Sequence, residues 1–168
     1  METTRSADGT VIAYERAGDG PPLIVAVGAF CDRKTFVPPA GLTGRFTVCT
    51  YDRRGRGDSG DTQPYSPDRE VTDLAAVIEA VPGSGAGEPG FGAGAFVFGH
   101  SSGAALALRA AAHGVPMAAL VAYEAPFMIP GDQEAGRGPD GPDHRAGRGR
   151  APGGRGEVLD DRCRPGAD

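Results

Sequence analysis

The sequence predicts an α/β fold built on a doubly wound, mainly parallel sheet. Two observations support this prediction. Continuous apolar runs such as residues 23–27 are typical of strands that are buried on both faces of a parallel sheet. These runs alternate with stretches of helical periodicity, as in the segment that follows Ser66. Because the apolar pattern stops near residue 130, we expect one ordered domain over residues 1–130 and a separate tail over residues 131–168.

The first third of the chain predicts a hairpin followed by two buried strands. Residues 3–17 alternate in polarity around Asp8-Gly9, a strong turn pair, and suit an antiparallel hairpin at a sheet edge. The first apolar run ends at the Gly28-Ala29-Phe30 loop. A short helical stretch, broken by proline, is expected from about Thr35, before a β-branched and aromatic strand at residues 46–51.

A helix is expected to begin after Ser66, which occupies the N-cap position before a proline and an acidic first turn. Its apolar face is formed by residues at helical spacing, namely Val71, Leu74, Ala75 and Ile78. A glycine-rich surface connection follows over residues 82–94, and the last buried strand is expected at residues 117–123.

The segment between them, residues 95–108, carries the clearest signal of chemistry. A buried apolar strand leads into Gly99-His100-Ser101-Ser102-Gly103, and an Ala/Leu-rich helix follows. This order is typical of a nucleophile elbow, in which a serine sits on a sharp strand-to-helix turn. Such a turn brings the residues two positions before and after the serine close together, so both need to be glycine. We therefore predict that Ser101 is a nucleophile.

Residues 8–130 resemble the α/β-hydrolase family. The resemblance rests on the residue 23–27 strand with its Gly28-Ala29-Phe30 loop, the turn at residues 51–59 and the serine motif at residues 99–103, in the family's order. It implies that Ser101 attacks an acyl carbon while a histidine accepts its proton and an acid orients that histidine. It also implies that the backbone amides of Ser102 and Ala29 form the oxyanion hole.

The chain departs from the family pattern at two places. The family often has His-Gly where this chain has Val27-Gly28. In the family, the acid and the histidine lie on loops after later strands, but no strand pattern follows Tyr123. Glu124 is a candidate acid at the end of a central strand, with packing or loop capping as its alternative role. His144, the only histidine after that strand, is the candidate base, although its surroundings are charged and unpatterned.

Other charged residues are interpreted as structural. His100 belongs to the serine turn itself, and His113 closes the following helix, where a cation suits the helix C-terminus. Asp52, Arg54 and Asp58 are typical of a charge network that stabilises a loop.

The tail has a composition unlike the rest of the chain. Residues 131–168 contain ten Gly, seven Arg and six Asp but no aromatic residue, so we expect them to be disordered. Such a composition also results when GC-rich codons are read out of frame, and a truncation or frameshift near residue 131 would explain the missing histidine.

Two functions therefore stay open. The chain is either a hydrolase of an ester or other small acyl substrate that is impaired by the loss of its histidine, or an inactive, binding-only fragment of such a hydrolase. A dinucleotide-binding unit fits less well, because only Gly28 stands where that fingerprint needs three glycines.

Composition narrows the expected partners. The formal net charge is −5 without a basic block, which argues against nucleic acid and anionic membranes as partners. No apolar run is long enough to span a bilayer and the N-terminus has no signal-peptide pattern, so we expect a cytoplasmic protein.

The three cysteines, Cys31, Cys49 and Cys163, lack metal-ligand spacing, and we expect neither a metal nor a cofactor. A sheet that ends at residues 117–123 would leave an uncovered edge, through which self-association is expected.

The tail prediction can be checked by limited proteolysis of the full chain. We expect a protease to trim the chain to about residue 130 while the upstream domain survives, because a segment without a core stays accessible to cleavage. Mass spectrometry of the products locates the cut. A tail that resists digestion as long as the domain does would contradict the prediction.

Overall fold

The computed structural model describes residues 1–39, 41–81 and 94–126, all of which belong to one compact unit, Met1–Met128. The described residues contain six strands and two helices in the order β1 (Glu2–Arg5), β2 (Val11–Ala17), β3 (Pro22–Ala26), β4 (Thr47–Tyr51), α1 (Pro67–Ala80), β5 (Ala95–His100), α2 (Ser102–Ala112) and β6 (Met117–Tyr123). The predicted tail, with His144 and Cys163, lies outside the described residues.

The six strands form one mixed sheet in the order β1-β2-β4-β3-β5-β6. The pairs β1–β2 and β2–β4 are antiparallel, whereas β4–β3, β3–β5 and β5–β6 are parallel. The prediction of a mainly parallel α/β sheet is therefore confirmed. The chain moves from β3 to β4 on one side and then returns to β5 on the other side of β3. The carboxyl ends of β3 and β5 consequently flank a topological switch point, where open α/β sheets bind ligands.

The hairpin prediction is also confirmed. Glu2 pairs with Tyr14 and Arg5 with Val11 across β1 and β2. At the turn, the Ser6 N–H donates to the Thr10 carbonyl over 2.9 Å. The hairpin therefore forms one edge of the sheet and continues into the parallel part through β4.

The main core lies between the sheet and the two helices. Helix α1 begins as predicted: Ser66 Oγ accepts a hydrogen bond from the Arg69 N–H over 3.3 Å. Its buried face differs from the predicted one, because Val77 is fully buried while Ala75 and Ile78 are only partly buried. The buried face differs from the predicted one because α1 also buries two carboxylates, Glu70 and Asp73. Each of them is paired with an arginine.

The opposite face of the sheet has a smaller core around Val25, Val27 and Val48, packed against side chains from the segment between β3 and β4. The helix predicted from Thr35 is wrong. The described part of that segment forms turns instead, with the Thr35 N–H donating to the Asp32 carbonyl over 3.1 Å. Two consecutive prolines, Pro38 and Pro39, explain the difference, because each lacks an amide donor and disfavours a helical residue before it.

This face also carries an apolar cavity of about 370 Å³, lined by Val25, Phe36, Phe98 and neighbouring residues. Neither described helix is long and apolar enough to cross a membrane.

Candidate active site

Ser101 occupies the turn between β5 and α2, as predicted. Its φ of 54° and ψ of −123° lie in a region that residues other than glycine rarely adopt. The Ser101 N–H donates to the Tyr123 carbonyl over 2.9 Å, and its own carbonyl accepts from the Ala104 N–H over 2.9 Å. The strained residue is thus held from both sides, by the neighbouring strand β6 and by the first turn of α2.

The two glycines of the serine motif are required by close backbone approach. A Cβ at Gly99 would lie 2.6 Å from the Ala104 Cα, and a Cβ at Gly103 would lie 2.1 Å from the Ala26 carbonyl oxygen. Real Cβ atoms do not approach other atoms so closely. The sequence argument for glycine at both positions is therefore confirmed.

The loop after β3 meets the Ser101 turn. Strands β3 and β5 are parallel neighbours with Ala26 opposite Gly99, so their carboxyl ends lie side by side. A Cβ built at Gly28 would lie 3.3 Å from the Ser101 Cβ. Within the described residues, the Ala29 N–H donates no hydrogen bond, and the next residue, Phe30, is fully exposed with a φ of 62°. Gly28 of this loop therefore lies against the serine, and the amide that follows it has no hydrogen-bond partner among the described residues.

Glu124 follows β6 at the same edge of the sheet, with a φ of 51°. Its Oε2 lies 4.0 Å from His100 Nε2; the His100 side chain is half-buried and that of Glu124 is exposed. The His100 ring stacks on Tyr123 with the ring centroids 5.8 Å apart. The carboxylate predicted as a candidate acid thus lies near the histidine of the serine turn.

His113 lies at the other end of α2. Its backbone N–H bonds to the Arg109 and Ala110 carbonyls, and its Nε2 is 3.7 Å from Asp68 Oδ1. These contacts agree with the structural role predicted for His113.

The loop after β4 carries a buried charge network, as predicted for Asp52, Arg54 and Asp58. Asp52 is fully buried and accepts the Arg33 and Asp58 N–H groups over 2.8 Å each, together with the Arg33 guanidinium. Arg33 also donates to Asp58 Oδ2 over 2.6 Å.

Arg54 connects the same loop to α1 and to the hairpin. It makes a bidentate pair with Asp73, both hydrogen bonds measuring 2.7 Å, and donates to Asp8 over 3.0 Å. Hydrogen bonds from Thr10 and from the Arg54 guanidinium hold the pKa of the Asp8 carboxyl well below its usual range.

Arg53 reaches the serine turn, which the sequence analysis did not foresee. It pairs with Glu70 through two hydrogen bonds of 2.5 and 2.9 Å, and its Nη1 donates to Ser102 Oγ over 2.8 Å. The Tyr65 hydroxyl donates to the same carboxylate over 2.8 Å. The spacing of Glu70 and Asp73 in the sequence could have indicated these pairs. Residues three positions apart lie on one face of a helix, where their carboxylates can bind two adjacent arginines.

Burial excludes Cys49 as a competing nucleophile. It is fully buried, and desolvation raises the pKa of its thiol to about 12, so the thiolate does not form at neutral pH. In the described ranges, no three His, Cys, Asp or Glu side chains converge as a metal site requires.

Residues 23–166 match a model of the Alpha/beta hydrolase family. The chain belongs to this family. The match begins at β3, includes both the Ser101 turn and the loop after β4, and continues through most of the tail that the sequence analysis sets apart.

Solved structures give the same assignment for this hydrolase-family chain. An alpha/beta hydrolase from Sphaerobacter thermophilus is 46% identical, with a TM-score of 0.66 over 80% of this chain and 51% of that one. The esterase RhEst1 from Rhodococcus sp. is 28% identical, with a TM-score of 0.58 over 71% of this chain and 44% of that one.

A curated relative in Mycobacterium tuberculosis, which carries the name of a non-heme bromoperoxidase, BpoC, is 30% identical over 89 residues. That alignment covers 51% of this chain and 34% of the relative. The chain therefore spans about half the length of the Sphaerobacter hydrolase and about a third of BpoC.

The described part of this hydrolase-family chain brings together most of the site residues predicted from sequence. Ser101, Ser102, the Ala29 loop and Glu124 all lie at the carboxyl edge of β3, β5 and β6. His144 lies outside the described residues, so its role as the base stays a prediction.

The Arg53–Glu70 pair predicts a dependence of stability on pH. Burial would by itself raise the pKa of Glu70, but the hydrogen bonds and charge of Arg53 reverse this and hold the pKa below its ordinary value of 4.5. The pair therefore stabilises the fold fully above about pH 4.5, and this contribution is lost as the pH falls through the lowered folded pKa.

We expect Glu70→Gln to lose roughly 3 kcal/mol of unfolding free energy at pH 7, since it removes one charge of a buried pair. The loss should shrink at pH 3, which lies below the ordinary pKa of 4.5, because Glu70 of the unfolded wild-type chain then binds a proton that the folded pair resists. Urea unfolding at both pH values measures the difference, and Glu79→Gln, an exposed change on the same helix, is the control. An equal loss at pH 7 and pH 3 would contradict the expected linkage.

Proposed function

We propose that this chain is a serine hydrolase that acts on an ester or other small acyl substrate through Ser101. The observation that carries the proposal is the backbone of Ser101, held at a φ of 54° between β5 and α2 with the loop after β3 beside it. A non-glycine residue keeps such a conformation only where its surroundings impose it, and such positions cluster at active sites. The esterase named among the similar structures supports the substrate class.

In this proposal, Ser101 Oγ attacks the acyl carbon and a tetrahedral intermediate forms. Its oxyanion accepts hydrogen bonds from the amides of Ser102 and Ala29. Ser102 is the first residue of α2, so its amide has no partner within the helix and lies at the positive end of the helix dipole. The hydrogen bond from Arg53 to Ser102 Oγ holds this residue in place.

The proton of Ser101 needs an acceptor, and His144 is the candidate. As the base, His144 would take the Ser101 proton and then return it to the leaving alkoxide, while Glu124 would orient the imidazole. Water would then hydrolyse the acyl-enzyme by the same route in reverse. If His144 does not reach Ser101, the hydrolase is impaired.

A second proposal is an inactive or binding-only fragment of such an enzyme. The two described histidines favour it, because neither His100 nor His113 makes a hydrogen bond to Ser101 within the described residues. An elbow without a base keeps oxyanion donors but loses the group that activates the serine.

We further propose that the chain self-associates through the β6 edge. Among the described strands, β6 is the last in the sheet order, and its Val121 and Tyr123 are 57% and 52% exposed. An exposed strand edge is a template for pairing with another chain. A small-molecule substrate stays a prediction from the family resemblance. The absence of a nucleic acid or membrane partner and a cytoplasmic location stay predictions from the sequence.

A fluorophosphonate probe and a nitrophenyl acetate assay test the nucleophile. We expect wild type to be labelled once per chain and Ser101→Ala not at all, since the probe phosphonylates a serine that is activated as a nucleophile. Without a base, wild-type turnover should stay near the residual ~10³–10⁴-fold acceleration that oxyanion donors and binding give alone. If His144 is the base, His144→Ala should slow labelling by roughly 10²–10⁴-fold.

Ser84→Ala, a serine substitution outside the predicted site, is the matched control and should label like wild type. Labelling that persists in Ser101→Ala would overturn Ser101 as the nucleophile. A folded wild-type chain without any labelling would favour the binding-only fragment.

A further inference from the structure

The loop after β4 also contacts the loop that carries Ala29. Arg56 Nη1 donates a hydrogen bond of 3.0 Å to the Gly28 carbonyl oxygen. Among the described residues, Arg56 provides the hydrogen bond that this carbonyl accepts. In a planar trans peptide the carbonyl of one residue and the N–H of the next point in opposite directions. The contact with Arg56 therefore fixes the direction of the Ala29 N–H.

The Gly28–Ala29 peptide needs such a restraint. Gly28 lacks a side chain, and it cannot carry one without crowding Ser101, since its Cβ would lie 3.3 Å from the Ser101 Cβ. Glycine leaves the adjoining peptide free to rotate. The side chain of Val27, one residue earlier, has no hydrogen-bond donor. Ala29 and Arg56 line the same surface cavity of about 460 Å³.

Arg56 lies in a tightly packed turn. Its N–H donates to the Arg53 carbonyl over 3.1 Å, and its carbonyl accepts from the Ser59 N–H over 3.0 Å. A Cβ at Gly57 would lie 2.1 Å from Asp52 Oδ2, so the turn packs directly on the buried carboxylate. The backbone of Arg56 is thus fixed by the Arg53 carbonyl and by the packing of its turn on Asp52.

We propose that Arg56 is a positioning residue, which aims the Ala29 amide at the oxyanion of the acyl-transfer transition state. The proposal rests on the proposed hydrolase function, because it assigns a task to an amide of that site. Arg56 acts through the peptide rather than on the substrate. Its loss should therefore lower kcat and leave KM nearly unchanged, since the oxyanion exists only in the transition state.

The test compares Arg56→Met and Arg56→Lys with Arg109→Met in the full chain. Arg109 is exposed and pairs with Asp68 on the surface, so its variant is the matched arginine control. We expect Arg56→Met to lower kcat for nitrophenyl acetate roughly 10–10²-fold, less than the loss of a whole oxyanion donor. Arg56→Lys, which keeps a donor, should recover part of this loss.

Two further readouts separate positioning from a general structural role. The first is the ratio of the hydrolysis rate of an oxygen ester to that of its thionoester, which should fall in Arg56→Met. An oriented N–H donor stabilises the oxyanion of the oxygen ester more than the sulfur anion of the thionoester, so the oxygen ester loses more rate. In ¹⁵N relaxation spectra, the order parameter of the Ala29 amide should fall in Arg56→Met and stay unchanged in Arg109→Met. The relaxation measurement does not depend on turnover.

The outcomes distinguish this proposal from the proposed function. One outcome is that wild type lacks esterase activity while the order parameter of the Ala29 amide falls in Arg56→Met but not in Arg109→Met. In that case the positioning role of Arg56 stands and the hydrolase function fails. If Ala29 stays as ordered in Arg56→Met as in wild type, the proposal is overturned, whether or not the chain is active. An active chain whose kcat is the same in Arg56→Met as in wild type overturns it as well.

Discussion

Three consecutive buried charges after β4, Asp52, Arg53 and Arg54, are the constraint on which the rest of the described structure depends. A buried charge is tolerated only when it is paired and hydrogen-bonded, so each of these residues dictates the position of a partner. Their partners come from four places: Arg33 from the loop after β3, Glu70 and Asp73 from α1, Asp8 from the hairpin, and Ser102 from α2. One short loop therefore fixes the relative placement of the elements around the carboxyl edge of the sheet.

This arrangement matters because the serine turn is strained. Ser101 is held at positive φ by the packing of β5, α2 and β6, and its two glycines let those backbones approach. Catalysis by an oxyanion hole requires donors that are oriented before the reaction, since reorienting them during the reaction costs free energy. Arg53 contacts Ser102 and Arg56 contacts Gly28, so the two proposed donors are restrained from the same loop. The strain at Ser101 thus comes from β5, α2 and β6, whereas the proposed donors are restrained from the loop after β4.

Local patterns in the sequence were enough to predict the fold class, the hairpin, the α1 cap and the serine turn. Each depends on residues close together in the chain, such as the paired glycines around Ser101. Contacts between distant residues were not predictable in this way. Arg53 and Ser102 are separated by 49 positions, and Arg56 and Gly28 by 28, so no local period links them. The helix expected from Thr35 failed for a local reason, because two prolines outweighed the surrounding pattern.

The most direct measurement of the central claim is a crystal structure of the full chain after reaction with a small fluorophosphonate. We predict a phosphonyl group on Ser101 Oγ, with its free oxygen about 3 Å from the amide nitrogens of both Ala29 and Ser102. We also expect the contacts from Arg53 to Ser102 and from Arg56 to Gly28 to be unchanged in the adduct. A phosphonyl oxygen that points away from both amides, or an adduct on another residue, would contradict both the nucleophile and the oxyanion donors proposed for this site.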